Sequence, residues 1–390
     1  MARVLLAWEL GGNYGHLVAL RALARALKQR GHECVFAVRM LGPAQQFLDP
    51  QLGALVQAPV RLAAAARRVR VQLSYASLLH NIGFNDPVEL AGRLQAWRTL
   101  YGALKTDYVF ADHSPVALVA ARTLGIPAAR IGNGFTLPPV LAPFPSFRPR
   151  ANVPEHVLMG NEAAVLRELN HALALLKLRP LPVLQDIFRG TAAALLTYAP
   201  LDHYEVERAE GFRGLPDFSY GERPRWPDGK GPKIFAYLRP SPALPALLQA
   251  LRGSKARVLL RLPDAHADVV RAAQRPGLSV AAGPVHFREA AESCDAFLNY
   301  GAHATVTEFL LAGKPGILVP DLHERAVTAR RASGLGAAVS VRATGVAPLK
   351  RALDQVIDDA ALRTGAAAFA AKHGRQDRAR ILPALVDELL

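Results

Sequence analysis

The chain is 390 residues long, room for two domains of roughly 100–200 residues each, with 51% hydrophobic and 20% charged residues and no low-complexity tract. That excludes a disordered or fibrous protein. Lysine and arginine outnumber aspartate and glutamate by 47 to 32, a net charge of +15 that invites a polyanionic partner. Aromatics at only 7%, and the absence of RRM, KH, zinc-finger and basic-zipper signatures, argue against specific nucleic-acid recognition.

Val4 to Trp8 is a short continuous apolar run, the pattern of a strand buried on both faces of a parallel sheet. A glycine-rich turn follows, Gly11-Gly12-Asn13-Tyr14-Gly15-His16. From Leu17 the apolar positions Leu20, Leu23, Ala24 and Leu27 recur at helical spacing, with Arg21, Arg25 and Lys28 on the other face and Gly31 where a helix ends. Cys34 to Val38 reads as the next strand. Strand, turn, amphipathic helix, glycine and strand make a βαβ unit, whose right-handed crossover implies a parallel sheet. The region from Leu41 to Arg98 is apolar with scattered arginines and no decisive motif. Tyr108 to Ala111 is a buried strand ending at Asp112. Ser114 and Pro115 then supply an N-cap and a first-turn proline, and Gly125 closes that helix before a strand over Ile126–Ile131.

After the apolar segment Ala194–Tyr198, the stretch Arg213–Pro232 is dense in glycine and proline and reads as the interdomain linker. Beyond it, strands at Ile234–Leu238, Val258–Arg261, Ala296–Asn299 and Gly316–Val319 alternate with helical segments. The two cysteines, Cys34 and Cys294, lie in different halves and make neither a disulfide framework nor a CxxC metal site. The opening apolar run is too short for a signal peptide, and no stretch reaches the ~18 apolar residues of a membrane span. A reducing, cytoplasmic compartment is expected.

In open α/β sheets ligands bind outside the carboxyl ends of strands, often at helix N-termini where free N–H groups favour anions. Three segments fall there: Gly11–His16, Asp112, and the strand-to-helix turn Asn299-Tyr300-Gly301-Ala302-His303-Ala304-Thr305-Val306-Thr307-Glu308. Gly11, Gly12 and Gly15 do not make the GxGxxG spacing of a dinucleotide fingerprint, and no Walker motif is present. Read singly, each has a plainer meaning. His16 reads as a helix-end residue, Asp112 as a cap for the helix near Ser114, and the Gly301–Thr305 turn as a tight connection.

Together these residues resemble the GT-B fold glycosyltransferases, specifically the UDP-glycosyltransferase-like branch that includes bacterial natural-product and antibiotic transferases. Gly15-His16, with the helix ending Gly31-His32-Glu33-Cys34, resembles the family's opening "GH…L…GHxV". Asp107–Asp112 with Leu124-Gly125-Ile126-Pro127 resembles the segment whose strand-end Asp orients that histidine. Glu308-Phe309-Leu310-Leu311-Ala312-Gly313-Lys314-Pro315 through Pro320, preceded by the Gly301 turn, resembles the donor signature "HGGxGTxxEaLxxGxPxxxxP".

The resemblance implies two Rossmann-like doubly wound parallel-sheet domains facing a central cleft: an acceptor domain over 1–215, a nucleotide-sugar domain over 232–372, and a segment 373–390 returning to the first domain. It implies an inverting transfer from a nucleoside diphosphate sugar, UDP first and dTDP next, to a small-molecule, lipid or glycan acceptor. His16 would be the general base and Asp112 its orienting partner. Tyr300, Gly301, Ala302, His303, Ala304 and Thr305 would surround the diphosphate, and Glu308 would bind the ribose. No cofactor and no metal are expected, and the sequence has no DxD motif.

The sequence departs from the family pattern at Tyr300, where a phosphate-contacting histidine is usual, and at Ala302, where glycine is. The family's "PxxxDQ" reads Pro320-Asp321-Leu322-His323-Glu324-Arg325, so Arg325 is expected to reach the diphosphate or alter donor choice, the alternative being that Glu324 and Arg325 are an exposed charge pair. The cluster Arg61, Arg67, Arg68 and Arg70 offers an acidic acceptor or an anionic membrane surface a peripheral contact, or is simply a solvated face. The rival on the same fold is a UDP-sugar 2-epimerase-like isomerase.

Overall fold

The computed structural model describes every residue except 13, 63–67, 149–150, 219 and 343–344. Asn13 of the glycine turn and Arg67 of the arginine cluster therefore lie outside the described residues. The chain divides into two compact units. The first holds Met1–Thr197, Tyr204–Pro216 and Ala379–Leu390; the second holds Tyr198–His203 and Asp217–Arg378.

In the first unit the elements in chain order are β1 (Arg3–Trp8), α1 (Tyr14–Gln29), β2 (Glu33–Val38), α2 (Leu41–Phe47), β3 (Ala54–Gln57), α3 (Tyr75–Leu79), α4 (Pro87–Leu104), β4 (Tyr108–Asp112), α5 (Pro115–Leu124), β5 (Ala128–Gly132), α6 (Glu155–Leu175) and β6 (Ala192–Leu195). The strands form one parallel sheet in the order β3-β2-β1-β4-β5-β6. The order in which successive strands are added reverses between β1 and β4, the topological switch point of a Rossmann-like fold. There Trp8 and Asp112 are register partners at the carboxyl ends of neighbouring strands. The core on one face gathers Trp97, Tyr101, Phe144 and Phe147 against Leu5, Ala7, Val109 and Ala111.

The second unit runs β7 (Lys233–Tyr237), α7 (Leu244–Arg252), β8 (Arg257–Arg261), α8 (Ala267–Ala273), β9 (Leu278–Ala281), α9 (Phe287–Ser293), β10 (Ala296–Asn299), α10 (His303–Leu311), β11 (Gly316–Leu318), α11 (His323–Gly334), β12 (Ala338–Ser340), α12 (Val346–Asp358) and α13 (Ala360–His373). Its parallel order β12-β11-β10-β7-β8-β9 repeats the topology of the first, with the switch point between β7 and β10. Phe309 of α10 packs on Phe235 and Phe297 of these two strands, with ring centroids 5.3 and 4.8 Å apart. The last helix, α14 (Ile381–Leu389), belongs to the first unit and packs along α1. Its Asp387 pairs with Arg30 and its Glu388 with Arg213 at 2.6 Å.

Strand starts shift where backbone donors are already committed. Gly125, at φ +70°, turns α5 off, and the Ile126 N–H bonds back to Ala121 O at 3.0 Å. Ile126 is therefore part of the helix cap, and β5 begins at Ala128 rather than at Ile126. The apolar segment Ala194–Tyr198 overlaps β6, which begins two residues earlier at Ala192 and ends at Leu195, and Ala199–Leu201 then forms a 3-10 turn. α1 begins at Tyr14, ahead of the apolar periodicity, so His16 lies inside its first turn. Among the described residues no helix is long and apolar enough to cross a membrane.

Candidate active site

Each unit presents its candidate residues at its own switch point. In the first, His16 Nδ1 lies 2.9 Å from Asp112 Oδ2, with side chains 15% and 5% exposed. A carboxylate acceptor at Nδ1 selects the tautomer with its proton there, which leaves the lone pair of the imidazole on Nε2. The Trp8 indole stacks on the imidazole, centroids 5.1 Å apart and planes 23° apart, so the ring is held by a face and by an edge. Gly11 is required twice over. Its φ is +86°, and a Cβ there would fall 2.6 Å from His16 Nε2. Gly12 and Gly15 carry no such constraint, since a Cβ at either would meet nothing within 4 Å.

Asp112 does not cap α5. That work falls to Glu9, the residue after β1, whose carboxylate accepts the Val116 N–H at 2.7 Å and the Trp97 Nε1–H at 2.9 Å. The Ser114 side chain, expected as the cap, makes no cap bond. Its Oγ instead accepts the Glu9 N–H at 3.0 Å and donates to Asp112 O at 3.2 Å. The Asp112 carboxylate is thereby committed to His16. Glu9 is 1% exposed, and burial pushes its carboxyl up to about 7 against the opposing pull of Arg93 and of the Val116, Trp97 and Ala117 N–H donors.

His113, between Asp112 and Ser114, is held at φ +49°. Its ring lies 6.3 Å from His16, 6.2 Å from Tyr75 and 6.4 Å from Phe135. Burial, with a smaller push from His16, lowers it to about 3, so it is neutral at physiological pH. Glu9 and His113 escaped the sequence reading. The only signal for Glu9 was a lone acidic residue directly after a buried strand.

In the second unit β10 ends at Asn299, whose Oδ1 accepts the Gly301 N–H at 2.5 Å. Gly301 has φ +85°, and a Cβ there would sit 2.7 Å from the carbonyl oxygen of Arg325. α10 starts immediately after Ala302, and no side chain caps its first turn. The N–H groups of His303, Ala304 and Thr305 thus stand at an N-terminus with the positive end of the helix dipole. Ala304 is exposed, while the His303 and Thr305 side chains are buried. Burial lowers His303 to about 4 in spite of Asp202.

The remaining donor candidates are held by protein partners. The Tyr300 hydroxyl bonds to Ser241 Oγ at 2.7 Å and to Arg239 O at 3.0 Å, tying the turn to the loop after β7. Glu308 is buried and gripped by both ends of the Arg378 guanidinium, Nη1 standing 2.8 Å from Oε1 and Nη2 meeting Oε2. Arg325 is buried in α11 and binds Asp321 one turn earlier at 2.7 and 2.9 Å, with its guanidinium 6.0 Å from the Tyr300 ring centre. The exposed-pair reading of Glu324 and Arg325 is therefore corrected: only Glu324 is half-exposed, because α11 turns Arg325 inward. Arg61 pairs with Asp86 at 3.4 Å, while Arg68 and Arg70 are exposed. Both cysteines are free and buried.

No protein-family model and no curated protein matches the chain. Solved structures match it end to end. The calicheamicin glycosyltransferase CalG4 is 19% identical with a TM-score of 0.71, covering 100% of this chain and 98% of its own. Glycosyltransferase VinC, in complex with dTDP, is 19% identical with a TM-score of 0.69 over 100% and 98%. Glycosyltransferase SnogD from Streptomyces nogalater is 18% identical with a TM-score of 0.67 over 100% of both. The chain has the GT-B fold of these proteins, two Rossmann-like parallel-sheet domains.

Proposed function

We propose that this protein is an inverting glycosyltransferase that moves a sugar from a nucleoside diphosphate to an acceptor hydroxyl. The observation that carries the reading is the His16–Asp112 pair at the switch point of the first unit. With its proton on Nδ1, His16 takes the acceptor's proton through Nε2, and Asp112 stabilises the imidazolium that forms. The hydroxyl oxygen attacks the anomeric carbon as the bond to the diphosphate breaks, and one displacement inverts that centre. The diphosphate is assigned to the uncapped first turn of α10, where N–H groups and the helix dipole oppose the charge growing on the leaving group.

The dTDP of the VinC complex supports a nucleoside diphosphate as the donor's handle; UDP and dTDP are the two to compare. Glu308 is proposed to reach the ribose through lone pairs that Arg378 does not occupy, and Arg325 to act on donor choice from its seat on Asp321. The sequence lacks a DxD motif, so transfer is proposed to need no metal. The two free buried thiols fit the reducing cytoplasm as the site of action.

The test is transfer by wild type and His16→Ala with UDP- and dTDP-sugars, donor hydrolysis being followed separately. Transfer at the wild-type rate without His16 would sink the mechanism, and epimerised donor in the absence of acceptor would favour the 2-epimerase-like alternative. Arg325→Gln with unchanged kinetics across several donors would remove Arg325 from the donor site.

A further inference from the structure

A carboxylate in the interior of a sheet needs a reason, because ionised groups are expensive to bury unless they are fully paired. Glu9 sits one residue beyond Trp8, which stacks on His16, and its own N–H binds Ser114 Oγ, which in turn binds the carbonyl of Asp112. Its carboxylate oxygens take the Val116 N–H and the Trp97 Nε1–H, with the Ala117 N–H adding to them. Its carbonyl oxygen accepts from Arg39 Nη1 at 3.2 Å. Apart from Arg39, which follows β2, the groups bonded to this residue belong to the segment that carries Asp112 or to α4 and α5 behind it.

We propose that Glu9 is a positioning residue of the reaction: its carboxylate fastens the end of β1, which carries Trp8, to the first turn of α5 and to Trp97, while its N–H holds Ser114 beside Asp112, and together these bonds set the orientation of His16. The inference rests on the reading of His16 as the base.

The groups facing Glu9 make its charge state matter. From α4 come Trp97 and Arg93, the latter paired with Glu89 at 2.9 Å, and from α5 the Val116 and Ala117 N–H groups. Tyr101 and Tyr75 lie within its field, and its ionisation raises both phenols beyond what burial alone does. Val116, Ala117, Trp97 and Arg93 all present N–H, so a proton on Glu9 would add a donor among donors and remove an acceptor that the turn depends on. The neutral form is easier to bury, yet it holds the dyad less well. The dyad is then gated by two ionisations, that of His16 and that of Glu9.

The test reads the dyad without any substrate. In protein labelled with ¹⁵N-histidine, the His16 Nδ1–H and ring nitrogens are followed by NMR from pH 5 to 9, assigned with His16→Gln. Wild type should show two steps in the His16 signals, one of them near neutrality. Glu9→Gln should lose that step and weaken the Nδ1–H signal. Trp97→Phe, which removes a donor that lowers Glu9, should move the step to higher pH. Ser114→Ala, which cuts the link to Asp112 but leaves the carboxylate in place, should give a smaller loss of the Nδ1–H signal. Circular dichroism and a cooperative thermal melt show whether each variant has folded. His16 signals in folded Glu9→Gln that match wild type at every pH, with only the melting temperature changed, would overturn the proposal. Loss of coupling here and loss of transfer in His16→Ala are separate readouts, so either idea can fail alone.

Discussion

The two switch points share a topology and differ in what their strands end on. The ends of β1 and β4 carry ionisable side chains: Glu9 directly after β1, Asp112 at the end of β4 and His113 after it, with His16 in the first turn of α1. β10 ends on Asn299 and a turn in which Gly301, Ala302 and Ala304 are small and the Tyr300 hydroxyl is tied to Ser241 and Arg239, beneath an uncapped helix start. On the proposed reading, the same strand-turn-helix geometry serves two kinds of chemistry. Side chains are needed where a proton must move, because only they titrate. Backbone N–H groups suffice where an anion must be held, because each peptide carries one, and bulky side chains would only keep the anion away.

Exchanging the two characters would break the comparison most sharply at His16. His16→Ala should lower kcat by about 10³-fold, in the range expected for a lost general base, with nucleoside diphosphate affinity unchanged; steady-state kinetics beside calorimetric titration of UDP and dTDP checks both halves of the statement.

Next in size is the stability effect of Glu9. Its folded value of about 7 lies above the ordinary 4.5, so the contribution is fully present below pH 4.5 and is lost as pH rises through 7. The full difference is about 3 kcal/mol at about 1.4 kcal/mol per unit. Urea midpoints at pH 5 and pH 8 should differ by less in Glu9→Gln than in wild type, and equal slopes would refute the assignment. His113 works in the opposite sense. Lowered from 6.5 to about 3, it contributes stability above pH 6.5 that is lost on acidification, so the two groups oppose one another between pH 4.5 and 6.5.

The backbone side of the comparison is tested by Gly301→Ala. Left-handed φ and a close carbonyl at 2.7 Å together should cost about 1–3 kcal/mol, and should weaken dTDP binding more than they change the pH profile of transfer. Thermal melts with and without dTDP separate the two. The smallest effect belongs to Gly12→Ala, with open space around the added carbon, set against Gly11→Ala, which should push His16 aside. Equal activity of these two variants would mean that His16 does not depend on its seat against Gly11.

Much of this was legible in the residues. The buried runs at Val4–Trp8 and Tyr108–Asp112 announce parallel strands because both faces must be apolar, and Gly125 and Gly31 mark helix ends because αL backbone there favours glycine. Ser114 has the residue type of a side-chain cap, yet the cap is Glu9, because capping preference is local and does not see a carboxylate arriving from residue 9. Glu308 and Arg325 were read by motif alone; the sequence does not display the Arg378 and Asp321 that hold them, the first because it lies seventy positions away and the second because only the helix turn brings it round.

The sequence by itself determined the α/β class, the alternation of strand and helix in both halves, and the candidates His16, Asp112 and the Gly301 turn, because each depends on periodicity or on a residue's own conformational limits. Tertiary structure alone decided which candidates meet. Trp8 stacks on His16 and Asp112 reaches it because parallel pairing of β1 with β4 puts their ends side by side. Glu9 caps a helix that begins more than a hundred residues later. Such partnerships are set by sheet order and burial, and neither is written in the spacing of residues along a chain.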